Sequence, residues 1–238
     1  MPRTIYWFIS FVIGLIFTVP FLVWVKILEL LGMNEKKEAC VDKISSNWAK
    51  GRIRDSGAEI EVLGAENVPN DKSVVFISNH QGNFDVAIFM AMIEKPKGYM
   101  SKMEMGKVPI LRNWMEYMHC VFIERGNARK ALVAINKGVD ILKAGHSLVI
   151  FPEGTRSRGS EMGAFKAGSL KLAIKAGVPI VPVTIDGSFR LMEANNGRIK
   201  PSKVRLIIHP IVETKGLAKD EIGELPEKIE GIIRSGLN

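Results

Sequence analysis

The chain carries few of the residues that mark several common kinds of site. Only two cysteines, Cys40 and Cys120, occur in 238 residues, and neither stands at ligand spacing with a histidine. That excludes a zinc-finger pattern and a disulfide framework, and predicts two ordinary thiols in a reducing compartment. No G-x-S-x-G pattern marks an activated serine. No small-residue cleavage site of the A-x-A kind follows the apolar N-terminal run. There is no nucleic-acid-binding motif and no interleaving of aromatic with basic residues, so no nucleic-acid partner is expected. Internal repeats and low-complexity linkers are absent too. Acidic residues are in the minority, 25 against 33 Lys and Arg, for a formal charge of +8. Such an excess favours anionic partners, lipid headgroups or phosphorylated metabolites among them.

What the N-terminus has in abundance is apolar surface. Ile5 to Val25 is a run of 21 residues without a charge. As a helix it would rise about 31 Å, close to the hydrocarbon thickness of a bilayer. Tyr6, Trp7 and Trp24 lie near its ends, where amphipathic rings prefer the interface. Pro20 interrupts the run and predicts a kink. Val41, Ile44 and Trp48 then recur at helical spacing among the basic residues from Lys36 to Arg54. That pattern predicts an amphipathic helix in the headgroup plane, drawn to anionic lipid. Residues 1–55 therefore read as membrane-anchoring helices. They either span the bilayer once, with the remainder cytoplasmic by the positive-inside rule, or dip in and return as a hairpin. The kink favours the hairpin.

Residues 56–238 read as a separate domain. "AEIEVLG", "SVVFISN", "GYMSK", "HCVFIER", "HSLVIFP", "VPIVPVTIDG" and "KVRLIIHP" are strand patterns, with helical patterns between most of them and a helical tail from Ala218 to Ile233. The alternation predicts an α/β fold with a mainly parallel, mixed sheet and helices on both faces. In such sheets ligands gather beyond the carboxyl ends of the strands. "NHQGNFD", "ERGNAR" and "PEGTRSRG" all lie there, and Lys102 follows "GYMS".

His80 ends a strand, and Asn83 can cap the next helix so that Asp85 falls in its first turn. An imidazole held by a carboxylate is a general base with a fixed tautomer. With no Ser or Cys in these loops patterned as an activated nucleophile, the pair would activate a hydroxyl of the substrate. The competing reading is a purely structural contact at a strand end. His-x4-Asp lacks the further ligands of a metal site, and none is expected. Arg125 and Arg156 leave apolar strands for Gly-containing loops, where guanidinium forks grip phosphate. Alternatively they pair with Glu124 and Glu153 as surface ion pairs.

In order and spacing, "NHQGNFD", "VFIER", "FPEGTRS" and "VPIVPVTI" resemble the four blocks of the glycerolipid acyltransferases, within them the 1-acylglycerol-3-phosphate acyltransferases. The resemblance covers residues from about 58 to 210 and implies an acyltransferase domain at 56–238. It implies His80 as general base, Asp85 as its orienting partner, and Arg125 and Arg156 on the substrate phosphate, with Lys102 beside them. Glu153, Gly154, Thr155 and Ser157 would form the substrate-binding loop. Gly82 stands where members often carry Ser, and His119 where they often carry Gly. The implied reaction acylates the sn-2 hydroxyl of lysophosphatidic acid and forms phosphatidic acid for phospholipid synthesis. It needs no cofactor and takes acyl-CoA or acyl-carrier protein as co-substrate. The enzyme would be membrane-bound at a bacterial inner membrane, its catalytic domain facing the cytoplasm. Rival readings are a same-fold acyltransferase for another lysolipid, such as lyso-ornithine lipid or a lysophospholipid, and a non-catalytic membrane lipid-binding protein.

Overall fold

The computed structural model describes residues 1–124, 126, 128–166 and 168–237. Seven strands form one sheet: β1 (Glu59–Leu63), β2 (Val75–Ser78), β3 (Lys97–Lys102), β4 (Val121–Ile123), β5 (Ser147–Ile150), β6 (Ile180–Asp186) and β7 (Lys203–Ile208). Their order is β1-β7-β6-β2-β5-β3-β4. Every pairing is parallel except β6 with β7, so the sheet is mixed as the alternation predicts. The central strands β2, β5 and β6 are buried throughout, which is why they read as unbroken apolar runs.

Successive residues of these strands serve opposite faces. Phe76, Val149 and Val181 point into one core, shared with Ala49 and Ile53 of helix α3 (Asn34–Ser56) and Ile88 and Phe89 of α4 (Asp85–Met92). Val75, Leu148 and Ile180 point into the other, with Val139 and Leu142 of α6 (Ala128–Lys143), Leu172 of α7 (Lys171–Ala176) and Ile229 of α8 (Lys219–Ser235). The five strands β6, β2, β5, β3 and β4 run in one direction, so their carboxyl ends share one rim of the sheet.

The N-terminal run forms α1 (Pro2–Phe17) and α2 (Val19–Leu30), broken at Thr18. Pro20 sits in the first turn of α2, where its missing N–H costs nothing, so the break falls just before it. Together these helices make 29 residues long and apolar enough to cross a membrane by length and composition. Phe8, Ile9, Val12, Phe17, Val23 and Trp24 are exposed. Helix α3 runs back along both, and here the sequence reading needs correction. Its apolar stripe faces protein, not headgroups. Val41 is buried against Val25 and against Trp114 of α5 (Pro109–Tyr117), with Ile44 beside them. Trp48 meets Phe11 edge-on at 5.0 Å. Arg52 is buried as well, donating to Asp55 at 2.7 Å and to the Ser10 hydroxyl at 2.7 Å. The helix has apolar neighbours on α1, α2 and α5 to satisfy, and its stripe goes to them.

Candidate active site

The rim formed by the carboxyl ends of β2, β5 and β6 is built by side chains that continue the sheet beyond its backbone ladder. Asn79, directly after β2, is buried and bonds both the N–H and the C=O of Ile185 on β6, each at 2.8 Å. Gln81 accepts from the N–H of Gly187 at 2.8 Å. These two amides peg the "NHQGNFD" loop to the end of β6. His80, between them, projects to the rim.

The imidazole stacks on Phe151, 4.2 Å between centroids and 20° between planes, and Phe151 in turn packs edge-on against Phe89 of the core. Its Nδ1 lies 2.6 Å from Asp85 Oδ2. Asp85 is fully buried and also accepts from the Gly82 N–H at 2.9 Å and from the Ser188 hydroxyl. A carboxylate with three donors and no donor of its own fixes the His80 proton on Nδ1 and leaves the Nε2 lone pair free. Asp85 occupies the first turn of α4, where the helix dipole favours its charge. The expected cap differs. Phe84 stands at the cap position, and Asn83 makes no capping bond; its N–H goes to Glu193 Oε1 at 2.7 Å and its side-chain amide to Met192 Sδ. The backbone bond from Asn83 to Glu193 turns the loop without any side-chain cap.

Glu153 does a different job from the one the substrate loop suggests. Its carboxylate accepts from the His80 N–H at 2.6 Å and the Gly163 N–H at 2.8 Å, locking the two loops together. Burial raises its pKa, and the two amides act in the opposite direction to hold the charged form. The backbone amides of Ser157 and Arg158 donate to the carbonyls of His80 and Gln81 at 2.8 and 3.1 Å. His80 and the "PEGTRS" turn are therefore one unit. With Glu153 committed to amides, it is no ion-pair partner for Arg156, whose side chain has no hydrogen-bond or salt-bridge partner among the described residues. Glu124 pairs with Lys130 at 2.6 Å. Arg125 itself lies outside the described residues.

Gly154 turns with φ +68°, and a Cβ there would sit 2.6 Å from Lys166 Nζ, so a second cation lies against this turn. Thr155 is exposed at its tip, and the Ser157 hydroxyl donates within its own loop to Gly159 O at 3.1 Å. Lys102 ends β3 in register with Ile123 and is exposed, with β5 between it and the His80 strand. His119 adopts φ +58°, so it takes up the left-handed backbone that suits glycine and the local turn is kept. Sequence reasoning missed Ser188, Glu193, Asn79, Gln81, Phe151 and Lys166. Asn79 and Gln81 flank His80 and could have been flagged as buried amides at a strand end; Ser188 and Glu193 come from more than 100 positions away and give no local signal.

The arrangement is a buried carboxylate, an oriented imidazole with an open nitrogen, no serine or cysteine in contact with that imidazole among the described residues, and unpaired positive charge on the adjoining turn. It can take a proton from a hydroxyl brought by an anionic substrate. Comparison with known proteins gives the family. A family model described as Acyltransferase matches residues 59–186. A 1-acyl-sn-glycerol-3-phosphate acyltransferase of Borreliella burgdorferi is 31% identical over 179 residues, 75% of this chain and 70% of that protein. One from Pseudomonas aeruginosa is 30% identical over 179 residues, 75% and 68% of the two chains. A probable one from Mycoplasma pneumoniae is 36% identical over 152 residues, covering 62% of this chain and 56% of its own length. The crystal structure of the 1-acyl-sn-glycerophosphate acyltransferase PlsC from Thermotoga maritima superposes with a TM-score of 0.86 at 29% identity, over 98% of this chain and 92% of that one. With the matched model spanning the sheet from β1 to β6 and relatives that share the chain across three quarters of its length, the protein belongs to the Acyltransferase family.

Proposed function

We propose that the protein transfers an acyl chain from a thioester, acyl-CoA or acyl-carrier protein, to the sn-2 hydroxyl of 1-acyl-glycerol-3-phosphate, giving phosphatidic acid for phospholipid synthesis. The observation that carries the reading is the 2.6 Å His80–Asp85 contact, with Nε2 left open and no enzyme nucleophile beside it. His80 takes the sn-2 proton as the oxygen attacks the thioester carbonyl. The tetrahedral oxyanion collapses, the C–S bond breaks, and the imidazolium proton goes to the departing thiolate. Asp85 stabilises the imidazolium meanwhile. No cofactor takes part in these steps. The amides of His80, Gly82 and Asn83 already donate inside the protein, which leaves Gln81 N–H and the Arg156 turn as donors for the oxyanion.

Arg156 and Lys102 are read as phosphate ligands, together with Arg125. Purified full-length protein in detergent, offered lysophosphatidic acid and other lysolipids with acyl-CoA or acyl-carrier protein, tests the assignment. Turnover of lysophosphatidic acid is expected to exceed that of lysolipids lacking a phosphate monoester. Preference for another lysolipid, or no turnover, overturns it. Arg156→Ala is expected to raise KM for lysophosphatidic acid about 10- to 100-fold, as loss of one charge-assisted contact worth about 1.5–3 kcal/mol requires. A rise in the thioester KM alone would place Arg156 on the donor.

The helical arm, residues 1–55, is read as the anchor that holds domain 56–238 at a bilayer carrying anionic lipid. Both ends of the arm meet the domain. Arg3 Nη1 donates to Ser56 O at 3.0 Å, Ile199 N to Thr4 Oγ1 at 3.0 Å, and Trp7 packs on Phe84 at 5.2 Å. That supports a hairpin of α1–α2 against α3 dipping into the cytoplasmic face of a bacterial inner membrane, with residue 1 on the catalytic side. A tag at residue 1 should be accessible only from the cytoplasm; labelling from the periplasm would establish a single span instead.

A further inference from the structure

The opposite rim of the sheet, at the amino ends of β4 and β5, holds a second cluster. His119 lies two residues before β4, His146 one residue before β5, and Glu38 reaches them from α3. We infer that Glu38, His119 and His146 bind a divalent transition-metal ion of the zinc class, clamping α3 to the amino ends of β4 and β5. Each residue offers one ligand atom, and the three atoms all lie within 4.8 Å of one another. His119 Nε2 is 3.1 Å from both Glu38 oxygens. The two imidazoles stack with centroids 3.7 Å apart and planes 24° apart.

Two imidazole nitrogens and one carboxylate oxygen are a donor set suited to zinc and its neighbours, and three protein ligands leave a fourth position for water. Zinc–ligand bonds of about 2.0–2.1 Å place donors about 3.3–3.5 Å apart in a tetrahedral site. The two imidazoles stack, so side-chain rotation must turn one nitrogen of each toward a common point to reach that geometry, and any proton on a ligating nitrogen leaves as the metal enters. The site opens on a small recess that Asp42 also lines, one helical turn from Glu38. Lys37 Nζ pairs with Glu38 Oε1 at 3.6 Å, a contact the metal would displace, whereas Lys97 Nζ is turned to the carbonyls of Ile93 and Lys95 at 2.8 and 2.9 Å.

The backbone supplies an independent observation. His119 sits at φ +58°, in a conformation that costs any residue with a Cβ. Its carbonyl presses on Gly98, where an added Cβ would come within 2.5 Å, so the turn is held from both sides. A glycine at 119 would relieve the turn; an imidazole there is retained against the local preference and faces a carboxylate and a second imidazole.

The test uses untagged full-length protein in detergent, stripped with chelator and titrated with zinc chloride by calorimetry, with thermal unfolding as a second readout. One equivalent should bind saturably, in the micromolar range or tighter, and raise Tm. His119→Gly, which suits the backbone, should keep the fold while losing zinc affinity by at least about 100-fold. His146→Gln should do the same. Absence of saturable binding by the wild-type protein overturns the proposal, as does unchanged binding in both variants, which would place the metal elsewhere.

Discussion

Replacing His80 with alanine is expected to lower the acyl-transfer rate by about 10²–10⁴ while the protein stays folded. The side chain is at the rim, 18% exposed, with one face on Phe151, so its loss opens no sealed cavity. Asp85 keeps its Gly82 and Ser188 donors, and its buried charge is not left bare. The loop keeps its place because the bonds that hold it come from Asn79, Gln81 and the His80 backbone. What vanishes is the imidazole that Asp85 orients, the group proposed as the base. Turnover is read against circular dichroism and Tm. A folded His80→Ala protein with near-normal kcat would show that the imidazole is a structural prop.

Asp85→Asn should reduce kcat by about 10²–10³, and for a reason that the hydrogen bonds make specific. The Gly82 N–H cannot become an acceptor, so the new carboxamide must turn its oxygen toward Gly82 and His80 and its nitrogen toward Ser188. The Ser188 hydroxyl can rotate to accept, because a hydroxyl both donates and accepts. Nδ1 of His80 therefore still donates, and the tautomer survives. Only the negative charge beside the imidazolium is lost, in a water-poor site where fixed charges and dipoles are worth about 2.7–4 kcal/mol to a transition state. KM for the acceptor should barely move, and the acidic limb of the kcat–pH profile should shift to lower pH as the base weakens. If kcat holds, or the profile stays put, Asp85 does not stabilise the charged ring.

All seven strands could be read from local pattern, β2, β5 and β6 from buried apolar runs, β1 and β7 from alternation, and the short β3 and β4 from their place between helical patterns. So could the contact of His80 with Asp85, five positions apart on one strand–loop–helix turn. Long-range partnerships could not. Ser188 and Glu193 reach the loop across the sheet from 103 and 110 positions away, and only the β2–β6 pairing brings them there. The apolar stripe of α3 was visible, yet its destination was not: a stripe at period 3.6 fits lipid and protein equally, and packing by α1, α2 and α5 decided between them. Likewise the reversed direction of β7 against β6 depends on the path of the 3-10 turns between them. Glu38, His119 and His146 carry no motif spacing because they come from one helix and two separate turns.

The bond between Thr4 and Ile199 joins residues 195 positions apart. It has a bearing on the order in which the molecule can be assembled during translation. Helices α1 and α2 are synthesised long before Phe84 or Ile199, so on the anchoring proposed above lipid is the first apolar surface they meet. The core beneath the central strands includes Ala49 and Ile53 of α3, so the end of the arm packs with the sheet. Trp7 packs on Phe84, one residue before Asp85, so the start of the arm forms part of the wall behind His80. The rim around His80 thus includes a contact from the first turns of the chain, and on the anchoring proposed above its completion is tied to delivery of α1 to the bilayer.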